Sequence, residues 1–301
     1  MPELPEVEVV RSGLEPAVTD AVIERVLVRD ERSLRRHQGP SEDFVDRLVG
    51  RTMLTTRRRG KFMWIPLDGT GPGGEPEALV AHLGMSGQVL LRSPEAPDDR
   101  LERIRFDIRS PEHGALRVAF VDQRIFGSMA IDVLVPTPDV PGDTVPSQVA
   151  HIARDPLDEH FDDRRFLAAL ARRRTGIKRA LLDQTLVSGI GNIYADEALW
   201  AARIHFDQPT ETLSRARATT LLAEVRLVLG RALAEGGTSF DAQYVNVNGA
   251  SGYFSHSLNA YGQQGKPCAR CGRPLKRVQF MNRGSHFCPF CQRIRTPRTP
   301  A

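Results

Sequence analysis

Apolar residues recur at helical spacing at the start of the chain and at strand spacing beyond it. Val7, Val10, Leu14 and Val18 fall on one face at intervals of three and four, which predicts a helix from Glu6 to Val18. From Val22 onward the pattern changes to short apolar runs separated by Gly and Pro, which is typical of β-strands. These runs are residues 22–28, 61–65, 78–83 and 88–91.

The clearest strand pair follows these runs. Ile104, Phe106 and Ile108 alternate with polar residues, the segment from Ser110 to Gly114 is suited to a turn, and the alternation then resumes. This pattern predicts a β-hairpin with one buried face. We therefore expect residues 1–133 to form an antiparallel β-sandwich with a leading helix, so that the whole chain is a multidomain α+β protein.

The pattern becomes helical after a proline-rich stretch. Residues 135–147 contain four prolines, which favours a linker over 134–150. Residues 151–237 then carry apolar residues at helical spacing, including a helix from Ile193 to Ala202 and a longer one from about Thr212 to Glu235 that ends at Gly236-Gly237. The predicted buried side of the longer helix comprises Leu213, Leu221, Leu222, Val225, Val228, Leu229 and Leu233.

The segment 238–261 is rich in Gly, Ser and Asn and carries Asp241 as its only formal charge. Such a composition suits a loop that closes over a neutral polar group. The Pro-rich, basic residues 293–301 at the end of the chain are expected to be disordered.

Charge is distributed unevenly along the 301 residues. The net charge is only +4, but residues 262–301 contain nine Lys or Arg and residues 164–182 contain seven, with no Asp or Glu in either segment. Two basic segments in an otherwise acidic chain favour a polyanionic partner, above all nucleic acid, over simple solvated surfaces. No apolar run is long enough to span a membrane, and the start is unlike a signal peptide. We therefore expect a cytoplasmic, nucleoid-associated protein.

The four cysteines form a recognisable metal-binding pattern. Cys268 and Cys271 are separated by two residues, as are Cys288 and Cys291, and sixteen residues lie between the pairs. This spacing predicts a four-thiolate zinc site, with disulfides as the weaker alternative in a cytoplasmic chain. Four protein ligands leave zinc no open position, so we expect one structural zinc ion. We expect no catalytic metal or organic cofactor.

The first residues offer candidate chemistry. If Met1 is removed, Pro2 presents a secondary amine beside the carboxylate of Glu3. A terminal amine has a pKa of roughly 8, so about a tenth is unprotonated at neutral pH and can attack a sugar C1′. Glu3 could protonate the ring oxygen. The alternative is a solvated end that merely leads into the helix, with Pro5 in its first turn.

These features together resemble bacterial formamidopyrimidine-DNA glycosylase. The resemblance runs from Pro2 to about Gln292 and rests on Pro2-Glu3, the turn Gly189-Ile190-Gly191-Asn192, the run 236–239 and the cysteine module with Arg283. It implies a bifunctional glycosylase and AP lyase that acts on oxidised purines in double-stranded DNA. We expect the protein to be a monomer and to have no membrane partner. The fold it implies is a β-sandwich, a helix-two-turns-helix domain (151–237), a lesion-capping loop (238–261) and a zinc finger (262–292).

The resemblance assigns roles residue by residue. Pro2 resembles the Schiff-base nucleophile and Glu3 the general acid. Lys61 resembles a lysine that assists β-elimination, and Arg283 an arginine assigned to δ-elimination. Alone, Lys61 would read as the end of a solvated basic run, but a cation near scissile phosphates stabilises the charge that grows as they leave.

Further positions match DNA contacts. Met85, Arg124 and Phe126 resemble residues that fill the void left by an extruded base, although Met and Phe are more often plain core residues. The remaining DNA-binding candidates are His82, Arg173, Lys178 and Asn192. Glu6 and Tyr253 are the candidates for contact with the flipped base.

Two departures from the family pattern stand out. The family often has a DNA-contacting histidine near residues 100–103, where this chain has Arg100-Leu101-Glu102-Arg103, so no role is assigned there. His286 stands where another aromatic residue is expected.

Other functions remain open. An enzyme of the endonuclease VIII type would prefer oxidised pyrimidines. The purine-specific branch is resembled more closely by Leu4, by the set Met85, Arg124 and Phe126, and by the long loop after Gly237. A non-catalytic zinc-finger protein would bind DNA without cutting it. A metal-dependent nuclease is disfavoured because the sequence shows no carboxylate and histidine cluster to hold a catalytic metal.

Overall fold

The computed structural model describes residues 2–238, 247 and 254–295. Backbone contacts divide the chain into two compact units. The first comprises Met1–His151 with Gly236–Tyr253, and the second comprises Ile152–Glu235 with Phe254–Ala301. Tyr253 and most of the predicted capping loop, 238–261, lie outside the described residues.

The first unit begins with helix α1, Leu4–Val18. The predicted apolar face is buried, with Val7, Val10, Leu14 and Val18 each at most 1% exposed. The helix starts two residues earlier than predicted because Glu3 forms a capping box with Glu6, in which each residue satisfies a backbone N–H of the other.

The rest of the first unit is the predicted antiparallel β-sandwich. One sheet has the order β1-β6-β7-β5 and the other β2-β3-β4-β8-β9. The strands are β1 (Val22–Val28), β2 (Arg57–Arg59), β3 (Phe62–Pro66), β4 (Glu77–His82), β5 (Gly87–Arg92), β6 (Glu102–Ser110), β7 (Gly114–Asp122), β8 (Ser128–Pro136) and β9 (Thr144–Pro146). A short helix α2, Ser41–Asp46, also belongs to this unit.

The core of the first unit lies between the two sheets and α1. Ile104, Phe106 and Ile108 of β6 are at most 2% exposed, as their alternation predicts. Their strand pairs with β7 through the turn predicted at Ser110 to Gly114.

Part of the predicted linker belongs to the sheet. Val135 of β8 pairs with Val145 of β9, which makes β9 the edge strand. Proline is tolerated at strand ends and edges, where its missing N–H removes no ladder hydrogen bond. The four prolines lie in β8, in the turn after it and in β9, so they mark the edge of the sheet.

The second unit contains four α-helices among the described residues. They are α3 (Asp163–Arg172), α4 (Ile177–Leu181), α5 (Asn192–Ala201) and α6 (Arg215–Ala234). Leu213 lies before α6 rather than on its buried face. The Ser214 hydroxyl accepts a hydrogen bond from Arg217 N, which makes Ser214 the N-cap and Arg215 the first helical residue. Leu233 is only partly buried. In the described part of the chain, no helix combines the length and apolarity needed to cross a bilayer.

A two-stranded hairpin completes the second unit. Strand β10 (Lys276–Phe280) pairs with β11 (Arg283–Phe287). Beyond it, Arg295 exchanges two hydrogen bonds of 2.8 Å with the side chain of Gln208. The chain is therefore held as far as Arg295, the third residue of the segment predicted to be disordered.

Candidate active site and nucleic-acid interface

The first turn of α1 holds the predicted catalytic pair. Pro2 and Glu3 are both buried. The backbone N–H of Glu3 donates to Glu6 Oε2 at 2.8 Å, and the Glu3 carboxylate accepts from the backbone of Glu6. A carboxylate at this position is also stabilised by the positive end of the helix dipole. The structure therefore fixes the orientation of both carboxylates beside the start of the chain.

Glu6 also binds the beginning of the predicted capping loop. Its Oε1 accepts from Thr238 N at 2.8 Å and from Thr238 Oγ1 at 2.9 Å. Gly237 adopts φ +82°, and a Cβ added there would lie 3.1 Å from Glu6 Oε1. The side chain predicted to contact the lesion is thus engaged with Thr238, the first residue of the loop predicted to cap the lesion.

Lys61 lies in a two-residue turn between β2 and β3. Gly60 precedes it at φ +58°, a conformation that glycine adopts without strain. Beside this turn, Arg58 Nε donates to Glu8 Oε2 of α1 at 2.8 Å and Arg58 Nη1 to Gly60 O at 3.1 Å. These bonds fasten the turn that carries Lys61 to the helix that carries Glu3.

His82 ends β4 within a group of cations. Burial, reinforced by the positive charges of Arg36, Lys61 and Arg35, lowers the pKa of His82 to about 4. Its ring lies 4.6 Å from that of Phe62, and its Nδ1 accepts from Gly84 N at 3.1 Å. The ring is therefore neutral at physiological pH with its proton on Nε2, which leaves an uncharged donor among cations.

Two of the three predicted void-filling residues are apolar and exposed. Met85 is 45% and Phe126 49% exposed, so neither is a core residue. Arg124 is exposed as well. The Asp122 carboxylate connects their two loops, because Oδ1 accepts from Ser86 Oγ at 2.6 Å and from Arg124 N at 3.1 Å. The structure brings Met85 and Arg124 onto adjoining loops of the sandwich.

The predicted phosphate contacts of the second unit differ in exposure. Arg173 is exposed and forms an ion pair with Asp183 at 2.8 Å. Asn192 begins α5 and donates from Nδ2 to Gly284 O at 3.1 Å. Lys178 does not lie on the basic surface that the sequence suggests, because it is 0% exposed and its Nζ lies 2.6 Å from Asp196 Oδ1. A contact between Lys178 and a phosphate stays a prediction.

Asp196 organises the support of the hairpin. It accepts from Ser285 Oγ at 3.0 Å and from His286 N at 2.8 Å, and it pairs with the His286 ring at 3.1 Å. The same ring packs edge-on against Tyr261 at 4.8 Å. His286 therefore keeps the aromatic contact expected at its position and adds a polar bond to a buried carboxylate.

Arg283 is exposed at the first position of β11. The hairpin that carries Arg283 is held by the hydrogen bonds that Ser285 and His286 donate to Asp196. The arginine is therefore presented to solvent from a fixed backbone.

A second buried glutamate holds the far end of the 238–261 segment. Glu197 accepts backbone hydrogen bonds of 2.8–2.9 Å from Asn259, Ala260 and Tyr261. Burial raises the pKa of Glu197 although these three N–H groups act in the opposite direction. Both ends of this segment are thus fixed by carboxylates, each within its own unit.

The four cysteine sulfurs converge. The Sγ atoms of Cys268, Cys271, Cys288 and Cys291 all lie within 4.8 Å of one another. Zinc bound at about 2.3 Å by four thiolates requires sulfurs about 3.8 Å apart, so the cluster fits a tetrahedral zinc ion. Trp200 Nε1 donates to Cys268 Sγ at 3.4 Å. Burial opposes the ionisation of Cys268, but hydrogen bonds from the backbone N–H of Arg270 and from the Trp200 side chain lower the pKa of Cys268 to about 6.

Comparison with family models covers most of the chain. Residues 1–129 match the formamidopyrimidine-DNA glycosylase N-terminal domain, and residues 152–243 match the H2TH domain of the same enzymes. Residues 265–294 match a zinc finger found in FPG and IleRS. The matches follow one another in the order of the β-sandwich, the helices and the cysteine hairpin described above.

Whole-chain relatives and solved structures agree with these matches. The chain is 65% identical to a formamidopyrimidine-DNA glycosylase of Leifsonia xyli, over 98% of this chain and all of the relative, and 53% identical to that of Thermobifida fusca, over 97% of each. The fold resembles Lactococcus lactis Fpg in complex with abasic-site DNA, at 29% identity, TM-score 0.80 and 97% and 99% coverage. It also resembles MutM (Fpg) of Thermus thermophilus, at 34% identity, TM-score 0.79 and 97% and 98% coverage. The chain therefore belongs to the formamidopyrimidine-DNA glycosylase family of DNA-repair glycosylases.

Proposed function

We propose that this chain is a bifunctional DNA glycosylase and AP lyase that removes 8-oxoguanine and formamidopyrimidines from double-stranded DNA in base excision repair. The observation that carries the proposal is the buried first turn of α1, where Pro2 and Glu3 lie beside Glu6. Solved relatives hold DNA with an abasic site or with N7-benzyl-Fapy-dG, which supports duplex DNA with a damaged purine as the partner.

The first step is nucleophilic attack by Pro2. Once Met1 is removed, the Pro2 nitrogen bonds to C1′ of the damaged nucleotide while Glu3 protonates the sugar ring oxygen. The C1′–N bond to the base breaks, and the base leaves with the proton that the Pro2 nitrogen loses. The C1′–O4′ bond breaks as the ring oxygen takes the proton of Glu3, which leaves Glu3 as a carboxylate and the open sugar attached to Pro2 as an iminium. A buried pair is suited to this step because charges interact more strongly away from water.

The next steps cut the strand. Loss of a C2′ proton from the iminium expels the 3′ phosphate, and a second elimination expels the 5′ phosphate. Lys61 is proposed to assist the first elimination and Arg283 the second, since each supplies a positive charge where a phosphate departs with negative charge. The turn at Gly60 and the hairpin above Asp196 are the supports on which these two cations depend.

The other residues bind the duplex. Arg124, Met85 and Phe126 are proposed to occupy the space left by the extruded base, which recovers part of the stacking energy lost. His82, Arg173, Lys178 and Asn192 are proposed to contact the backbone and so to position the DNA without reading its sequence. Glu6 and Tyr253 are proposed to contact the flipped base.

Zinc enters this scheme as a structural ion. Cys268, Cys271, Cys288 and Cys291 would hold it, and its chemistry would be to fix the hairpin fold by occupying all four thiolates. We propose no catalytic metal or organic cofactor. The protein is proposed to act as a monomer in the cytoplasm, on the nucleoid.

Borohydride trapping tests the proposed mechanism. Borohydride reduces the iminium to a stable amine, so wild type with 8-oxoguanine duplex should give a covalent complex whose tryptic peptide contains Pro2. Pro2→Gly should lower its yield or shift the site of attachment, and Glu3→Gln should abolish base release. Pro16→Ala removes an exposed proline from the same helix and should trap like wild type. Intact mass must first show that Met1 is absent.

The same assay separates the other candidate functions. Faster excision of thymine glycol than of 8-oxoguanine opposite cytosine would favour the endonuclease VIII type. Salt-sensitive binding without any trapped complex would favour a non-catalytic DNA-binding protein. Cleavage that EDTA abolishes at once, while the zinc stays bound, would favour a metal-dependent nuclease.

A further inference from the structure

One guanidinium binds three consecutive carbonyls of the loop that carries Phe126. Arg35 Nη1 donates to Ile125 O and to Gly127 O, each at 2.9 Å. Arg35 Nη2 donates to Phe126 O between them. Three acceptors in sequence fix the direction of the whole segment Ile125–Gly127.

The N–H groups of the same loop are held by a different side chain. The Asp122 carboxylate accepts from Arg124 N at 3.1 Å and from Gly127 N at 2.7 Å. Asp122 is 0% exposed, so it is a rigid anchor. Arg35 on the carbonyl side and Asp122 on the N–H side together bind both edges of the loop backbone.

The loop needs this support because its conformation is unfavourable. Ile125 adopts φ +56°, a left-handed conformation that a β-branched residue rarely adopts. Phe126 follows with its side chain 49% exposed, although burial would be favourable for so large an apolar group. A loop left free would relieve the strain and turn the ring toward the protein.

We propose that Arg35 is a positioning residue that holds Phe126 ready to enter the space left by the extruded base. The proposal rests on the proposed function, in which Phe126 fills that space. Its physical basis is that ordering a loop costs conformational entropy, and a loop ordered in advance does not incur this cost on binding. Arginine is required because a planar guanidinium offers several donors in fixed directions, whereas a lysine ammonium acts as a compact charge.

The competing role for Arg35 is an ordinary phosphate contact. A phosphate contact strengthens binding to any duplex and contributes about 0.9 to the slope of log K against log salt. A positioning residue instead strengthens binding only where there is a space for Phe126 to fill. The ratio of the Kd for undamaged duplex to the Kd for a duplex with a tetrahydrofuran abasic analogue therefore distinguishes the two roles.

The experiment compares Arg35→Lys with Arg36→Lys. Both keep the charge, and Arg36 lies over the Phe62 ring at 5.2 Å from its centroid, on the neighbouring position. Arg35→Lys should lower the Kd ratio about tenfold, or about 1.4 kcal/mol, with affinity for undamaged duplex and its salt slope unchanged. Arg36→Lys should leave the ratio at the wild-type value. Far-UV circular dichroism and the Tm confirm that both variants are folded.

A double-mutant cycle shows whether Arg35 acts through Phe126. Phe126→Ala should lower the ratio in wild type and lower it much less in Arg35→Lys, because the ring is no longer held in place. The proposal would be overturned if the losses in the two single variants were additive, or if the ratio were unchanged in Arg35→Lys. It would also be overturned if Arg35→Met, which removes the charge, bound both duplexes equally more weakly, as loss of a phosphate contact predicts. If Phe126→Ala has no effect in wild type, the void-filling role itself fails, which is a different result from a failure of Arg35.

Discussion

The carboxylate of Glu6 accepts two hydrogen bonds from Thr238, one from its backbone N–H at 2.8 Å and one from its hydroxyl at 2.9 Å. The other Glu6 oxygen accepts from Glu3 N at 2.8 Å. Glu6 is 1% exposed, so water does not replace these donors readily. One side chain thus connects the proposed catalytic turn with the first residue of the proposed capping segment.

Glu6→Gln should destabilise the fold. Glutamine keeps the size of the side chain, but one oxygen becomes an NH2 group, so either Glu3 N–H or the two Thr238 donors lose their acceptor. We expect a loss of about 1–3 kcal/mol in the free energy of unfolding, and a smaller loss in Thr238→Val, which removes the hydroxyl alone. Urea denaturation measures both. Glu15→Gln, on the same helix but partly exposed, should change stability by less than about 1 kcal/mol, and an equal effect at Glu6 would contradict the prediction.

Asp196→Asn should be more damaging. It leaves the Lys178 ammonium, 0% exposed, without the carboxylate that lies 2.6 Å away. Removing one member of a buried ion pair typically costs about 3–5 kcal/mol, whereas replacing both members with apolar residues is often tolerated. We therefore expect the double variant Lys178→Met with Asp196→Asn, which removes the buried ammonium and keeps an oxygen for the donors of Ser285 and His286, to be more stable than Asp196→Asn alone in urea denaturation. The reverse order would show that the pair does not control stability.

The burial of Lys178 could not be predicted from the sequence. A basic run without acidic residues predicts an exposed surface, and Arg173 is exposed. The prediction is wrong for the placement of Lys178, because the partner that permits burial, Asp196, lies on another helix. A single sequence contains no signal that two opposite charges so far apart in the chain will meet.

Other features were fixed by local chemistry and were predictable. The alternation of Ile104, Phe106 and Ile108 sufficed for the hairpin, and the cysteine spacing sufficed for the zinc cluster. Arg35 and Thr238 were not predictable as contact residues, because their partners are backbone carbonyls and a distant carboxylate. Local patterns thus predict elements, while contacts between elements require the fold.

His82 should titrate well below an ordinary histidine. Burial and the charges of Arg36, Lys61 and Arg35 lower its pKa to about 4, against about 6.5 when unfolded. The neutral ring therefore contributes stability that is fully present above pH 6.5 and is lost as the pH falls toward 4. Lys61→Met should raise the pKa of His82 because it removes a nearby positive charge. NMR titration of the histidine Cε1–H signal measures this, and a pKa unchanged or lowered in Lys61→Met would contradict it.

Zinc removal should be visible at Trp200. The chain has two tryptophans, so Trp64→Phe leaves Trp200, which donates to Cys268 Sγ, as the only tryptophan. Chelation should release the thiolates and shift the Trp200 emission to longer wavelength, and added zinc should restore it. Cys291→Ser should bind zinc more weakly and shift at lower chelator concentration. Emission that is insensitive to chelation in both proteins would contradict a zinc site at these cysteines.

Gly84→Ala should disturb the loop of Phe126 more than backbone strain alone explains. Gly84 adopts φ +63°, and a Cβ there would lie 2.3 Å from the carbonyl carbon of Phe126. Gly114 adopts φ +69° with nothing within 4 Å of an added Cβ, so Gly114→Ala measures the conformational penalty by itself, roughly 1–2 kcal/mol. Gly84→Ala must add the cost of moving the Phe126 backbone, so it should be the less stable variant in urea denaturation. It should also reduce the preference for abasic-analogue duplex, whereas Gly114→Ala should keep it. Equal stability and equal preference in the two variants would show that the loop accommodates the methyl group freely.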